Sequence, residues 1–165
     1  MPNRSNSLLG SMADAVRSAF ALPQRVQFAA LAYRESDNGL EYMLLTSRDT
    51  GRWVIPKGWP TSSGDGVQTA EQEAWEEAGI RGEIAGSKIG TYSYSKFDQS
   101  DGNAYRVRVY PMSVSDVSDD WPEKAERDRI WMDFQSAANA VEEPELRALL
   151  SDFGDMLTTL VAQKA

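Results

Sequence analysis

The chain has 165 residues (18.3 kDa), the size of one domain, and its 41% hydrophobic residues suffice for a single core. It contains neither cysteine nor histidine, which excludes disulfide scaffolds, thiolate zinc sites, Ser-His triads and imidazole acid–base chemistry. Lys and Arg number 17 against 25 acids, a net charge of −8, and a field of that sign disfavours nucleic acid and anionic membranes as partners.

Met1 to Ser7 is polar and lacks the apolar stretch of a secretory signal, so a cytoplasmic protein is expected. Residues 1–22 read as a tail followed by a peripheral helix, with Leu8, Leu9, Met12, Val16 and Phe20 at helical spacing before Pro23. That helix offers a surface for a homodimer. Residues 23–165 read as the single domain. Val26 to Tyr33 is an apolar run, and with the turn Asp37-Asn38-Gly39 and the return Tyr42 to Thr46 it predicts a hairpin. Trp53 to Ile55 predicts a short strand stopped by Pro56, and Lys57 to Gly66 a loop.

The pattern changes to helix over Val67 to Ala78, with Thr69 as N-cap, Gln72 completing a capping box, and Gly79 as the left-handed stop. Ile84 to Tyr94 and Tyr105 to Val114 predict two longer strands joined through residues 98–102. Tyr92, Tyr94 and Tyr105 then share one sheet face, Trp75 falls in the core, and Trp59 is free to stack on a ring. Asp119 to Glu126 reads as an acidic loop, Arg129 to Met132 as a short strand, and Ser136 to Val141 as the start of a helix. Glu145 to Val161 is amphipathic, with Leu146, Leu149, Leu150, Phe153, Leu157 and Leu160 along one side. The order of elements implies an α/β protein, a mixed sheet covered by helices on both faces.

The chemistry is concentrated on the first of the two long helices. At 100° per residue, Glu73, Glu76 and Glu77 share one helical face. Like charges at these spacings repel, and a bound divalent cation turns that repulsion into attraction. Carboxylates are hard ligands of the kind Mg²⁺ and Mn²⁺ prefer. The Gly-rich stretch before the helix lets backbone groups approach the same point. The plain alternative is a solvated acidic face.

The segment Gly58 to Ile80 resembles the Nudix box: Gly, five residues, Glu, seven residues, then Arg-Glu-aliphatic-x-Glu-Glu-x-Gly-aliphatic. Gly58, Glu73, Ala74, Glu76, Glu77, Gly79 and Ile80 match in register. Gly64 stands where the pattern has Glu, and Gln72 where it has Arg. In the family those two are ion-paired across the loop, and losing both leaves no orphan charge. Gln72 is expected to hydrogen-bond the loop backbone instead. Arg52 to Trp59, Trp121-Pro122-Glu123 and Arg127 to Trp131 resemble the diphosphoinositol polyphosphate and diadenosine polyphosphate hydrolase branch.

The resemblance implies an α/β/α Nudix sandwich with a mixed central sheet and a small-molecule substrate cleaved at a phosphoanhydride. A dinucleoside polyphosphate or a diphosphoinositol polyphosphate is the first expectation, with ADP-ribose and nucleoside triphosphates left open. By the same resemblance Glu73 and Glu77 hold Mg²⁺ or Mn²⁺, a main-chain carbonyl near Gly58 is a further ligand, and Glu76 is the general base. Arg25, Arg34, Ser47, Arg48 and Lys57 are candidates for substrate phosphates, Ser47-Arg48 being the best pair. Glu123 and Glu126 are either solvated or an additional ligand or base. A catalytically dead domain that senses a nucleotide or docks a partner is the competing reading.

Overall fold

The computed structural model describes residues 25–95 and 104–163. The predicted N-terminal tail and helix, with the dimer surface expected there, and the predicted turn at residues 98–102 lie outside them. In chain order the elements are β1 (Arg25–Ser36), β2 (Gly39–Thr46), β3 (Trp53–Val54), β4 (Lys57–Gly58), α1 (Gly66–Ala78), β5 (Ile80–Glu83), β6 (Gly90–Ser95), β7 (Ala104–Val117), β8 (Arg129–Asp133), α2 (Phe134–Ala140) and α3 (Pro144–Ala162).

Alternation along β1 and β2 sets the layers. Ala29 and Leu31, with Tyr42 and Leu44, face one side of the sheet and meet Ala137, Ala138, Leu146, Leu150 and Phe153 of α2 and α3. Ala30 and Ala32, with Met43 and Leu45, face the other side and meet Ala70, Ala74 and Ala78 of α1. Alanine on both sides of that second contact brings the helix close to the strands. The Tyr42 hydroxyl, buried on the first side, donates to the Leu150 carbonyl at 3.0 Å. This is the expected sandwich, with helices on both faces.

The sheet runs β3-β2-β1-β7-β5, with β4 on β1, β6 on β7 and β8 on β2. β1 and β7 are parallel from Arg25 opposite Tyr105 to Tyr33 opposite Ser113, and the other pairings are antiparallel, so the sheet is mixed. Among the described residues no helix is long and apolar enough to cross a membrane.

Three expectations are corrected. Lys57 and Gly58 are not loop: they pair with Ala29 and Phe28 of β1, which pins the start of the Gly-rich stretch to the sheet. The strand expected over Ile84 to Tyr94 begins only at Gly90, as β6, because residues 84–89 form a break containing Gly86 at φ +91°, and β5 (Ile80–Glu83) is a further strand that the pattern does not predict. α1 starts earlier than expected, because Asp65 rather than Thr69 caps it, accepting from the backbone N–H of Val67 at 2.8 Å and of Gln68 at 3.1 Å. Thr69 is buried one turn inside. Gly79 closes the helix in the left-handed conformation, as expected, at φ +64°.

Candidate active site

α1 and β4 bring the expected centre together. A Cβ at Gly58 would fall inside the Glu73 carboxylate, so only glycine lets that carboxylate lie against the β4 backbone. Glu77 is buried, and both its oxygens are engaged: Oε2 accepts from the Lys57 N–H at 3.1 Å, and Oε1 pairs with the Arg127 guanidinium. Glu76 accepts at Oε1 from the Gln72 amide at 2.7 Å. The expected bond from Gln72 to the loop backbone is therefore not made. The loop is held instead by Thr69, whose Oγ1 accepts from the Thr61 N–H at 3.1 Å and donates to the Asp65 carbonyl at 2.7 Å. Ser63 adds a bond to Gln68 at 2.9 Å. Gly64, in place of the family's Glu, sits at φ +69°, a conformation that a side chain would strain.

Electrostatics mark the centre. Burial, then the charges of Glu77, Glu76 and Glu123, push the Glu73 carboxyl up to about 7, against a smaller opposing effect of Arg127. Burial also raises Glu77, although Arg127 and Lys57 pull the other way. Desolvation outweighs the ion pair at that position. Among the described residues no three acidic side chains are gathered tightly enough to cage a metal as they stand. The donor chemistry nonetheless fits a hard divalent cation: oxygen ligands only, mutually repelling, one of them lying against the Gly58 backbone. The group that differs from a ready cage is Glu77, which is turned to Arg127.

The segment from Ser118 to Arg129 closes the site in a way the sequence did not disclose. A helix leaves its last carbonyls without intrahelical donors. Here the Glu76 carbonyl accepts from the Glu123 N–H at 3.0 Å, that of Glu77 from the Trp121 indole at 3.2 Å, that of Ala78 from the Arg129 guanidinium, and that of Gly79 from the Ser118 N–H at 2.8 Å. Arg127 donates from Nε to Glu123 at 2.6 Å and from Nη1 to the Thr46 carbonyl at 3.0 Å. The acidic loop is thus fastened to α1 rather than solvated along its length. Glu126 stays half exposed and pairs with Arg48 at 3.0 Å.

The candidate phosphate ligands separate. Lys57 adjoins Gly58, with Nζ 5.5 Å from the centre of the Tyr94 ring. Arg25, three residues before the Gly58 partner Phe28, donates to the Tyr105 hydroxyl at 3.3 Å. Tyr94 and Tyr105 pair across β6 and β7 and stack at 5.1 Å, as expected, and Trp59 lies 5.7 Å from Tyr105 with 48% of its surface exposed. Ser47 and Arg48 lie between β2 and β3, the Ser47 hydroxyl on Thr50 at 2.6 Å. Arg34 is not brought in. It lies six residues beyond Phe28 on β1, roughly 20 Å along the strand, paired to Glu41 at 2.8 Å and stacked on Trp131. Trp75 is not core either: half-buried, it carries Arg81 at 3.6 Å over its ring.

Comparison with known proteins gives a consistent result. A family model described as NUDIX domain matches residues 23–153. Diphosphoinositol polyphosphate phosphohydrolase 3-beta of Bos taurus is 26% identical over 116 residues, 69% of this chain and 67% of that protein. Nudix hydrolase 17, mitochondrial, of Arabidopsis thaliana is 26% identical over 124 residues, covering 75% of this chain and 66% of the relative. In structure, a C. elegans Ap4A hydrolase binary complex shares the fold, with a TM-score of 0.66 at 24% identity over 81% of this chain and 98% of that one.

Proposed function

The chain belongs to the Nudix family and is a pyrophosphohydrolase of it, and on that premise we propose that it cleaves a phosphoanhydride of a dinucleoside polyphosphate with Mg²⁺ or Mn²⁺ as cofactor. The observation that carries the reading is Glu73 lying against the Gly58 backbone and Glu77 bonded to the adjacent Lys57 N–H, with the Glu76 charge acting on Glu73 beside them. Glu73, Glu77 and the backbone at Gly58 are the groups that would hold the cation. A cation so held lowers the pKa of bound water and neutralises charge that builds on the phosphate oxygens.

The chain's own groups do the remaining work. Glu76 accepts the proton of the attacking water, one P–O bond forms as the anhydride P–O bond breaks, and the leaving phosphate departs with its electron pair. Lys57 and Arg25 stand beside the centre to bind phosphate. The half-exposed Trp59, with Tyr105 and Tyr94 behind it, supports a substrate carrying a flat ring. That wall favours a nucleotide over a diphosphoinositol polyphosphate, the second choice, because an inositol ring is saturated and presents no π face. Curated relatives named for diphosphoinositol polyphosphates keep that second choice in view.

The test is a screen of dinucleoside polyphosphates, diphosphoinositol polyphosphates, ADP-ribose and nucleoside triphosphates with Mg²⁺ and with Mn²⁺, both products being identified so that the cut bond is located. The expected result is turnover of a dinucleoside polyphosphate above the others. Tight nucleotide binding with no product at any metal concentration would establish the dead-sensor reading instead.

A further inference from the structure

Arg127 is 6% exposed and its partner Glu77 8%. The guanidinium is gripped from three elements at once: Glu77 on α1, Thr46 at the end of β2, and Glu123 on its own segment. The Arg127 charge acts on Glu73 as well as on Glu77, and Glu123 bonds it directly, so one guanidinium serves as counter-charge to three carboxylates, of which Glu77 is buried. A fixed internal cation therefore sits on the very carboxylate that the metal centre needs. Each oxygen of Glu77 already has one partner, the Lys57 N–H on Oε2 and the guanidinium on Oε1, so a cation arriving there meets the guanidinium's charge at close range.

We propose that Arg127 is a positioning residue that stands in for the divalent cation at Glu77 in the metal-free protein, and that cation binding exchanges the guanidinium for the metal on that carboxylate. The proposal rests on the metal-dependent reading of the site above. Its alternative is a permanent structural ion pair that the metal never disturbs. The two differ in what happens to Arg127 when metal enters, and in whether removing Arg127 helps or hinders the metal.

The experiment uses the full chain freed of metal with a chelator. In the wild type, the side-chain N–H signal of Arg127, identified by its loss in Arg127→Lys, is followed by NMR as Mg²⁺ is added. It should move in step with saturation. By calorimetry, Arg127→Met should bind Mn²⁺ about tenfold tighter than wild type, the direction opposite to that for loss of a supporting outer-sphere group, with Arg127→Lys in between. Arg127→Met should also melt lower in chelator and recover in Mn²⁺; if it folds only with Mn²⁺ present, that supports the exchange as well. An unmoved Arg127 signal at Mg²⁺ saturation overturns the proposal. So does weaker or unchanged Mn²⁺ binding by Arg127→Met. Should Arg127→Met fail to fold under every condition, the wild-type titration and Arg127→Lys decide. Wild type that takes up no Mg²⁺ or Mn²⁺ overturns the metal-dependent reading together with this one, whereas wild type that binds metal and turns substrate over with Arg127 undisturbed removes this one alone.

Discussion

At its first turn α1 is tied to the preceding loop by neutral and singly charged groups: the exposed Asp65 cap, the buried Thr69 on Thr61, and Ser63 on Gln68. At its last turn it is tied by a buried ion pair and by four carbonyls answered from a distant segment, residues 118–129. The family pattern places an ionic tie at the first of these ends, between the two positions that are here Gly64 and Gln72. In this chain the first end has lost its ionic tie, and the ionic fastening described is at the second, beside Glu73, Glu76 and Glu77. A loop near water needs only hydrogen bonds to hold its shape, whereas carboxylates taken out of water need a cation.

The largest effect should come from the second end. Glu73→Gln should cut metal-dependent turnover by about 10²- to 10⁴-fold, measured with the best substrate of the screen. The same variant should change the pH dependence of stability. In the wild type the unfolded chain releases the Glu73 proton near 4.5, but the folded chain keeps it to about 7. The folded state then binds more protons in that window, so stability should fall as pH rises from about 4.5 through about 7. Thermal melts in chelator across that range should show the fall in wild type and a flatter curve in Glu73→Gln. Next, Glu77→Gln should cost about 3 kcal/mol in urea denaturation without metal, since it removes one of the two carboxylates bonded to the Arg127 guanidinium.

At the first end the effects should be smaller. Gly64→Glu restores the family residue but at φ +69°, and should destabilise by about 1–2 kcal/mol. Asp65→Ala removes a cap and should cost about 1 kcal/mol, read by the same denaturation. Were Asp65→Ala to cost as much as Glu77→Gln, the contrast between the two ends would be lost.

The parts of the molecule that sequence made legible are those governed by local spacing. The hairpin at Asp37-Asn38, the glutamate face of α1, the left-handed Gly79 and the apolar side of α3 all follow from residues a few positions apart. The cap was misplaced because Asp65 and Thr69 are both good cap residues, and nothing local chooses between them. The strand expected from Ile84 begins only at Gly90 because the run crosses the break at Gly86, and β5 is hidden because Ile80 to Glu83 carries a single large apolar residue. Arg127 was noticed only as part of a basic segment near Trp131. Its partner lies 50 residues earlier, and no spacing rule reaches across that distance. One signal was available: three glutamates on one helical face with no arginine in the box call for a cation from elsewhere.

The carbonyls at the end of α1 carry a further implication for how the protein is made. Synthesis delivers the helix well before residues 118–129, which supply all four donors. Until they emerge, the final helical turn faces water and frays, and the acidic triplet it bears has no fixed geometry. A nascent chain halted short of Ser118 would therefore carry the whole signature motif and yet have no working centre.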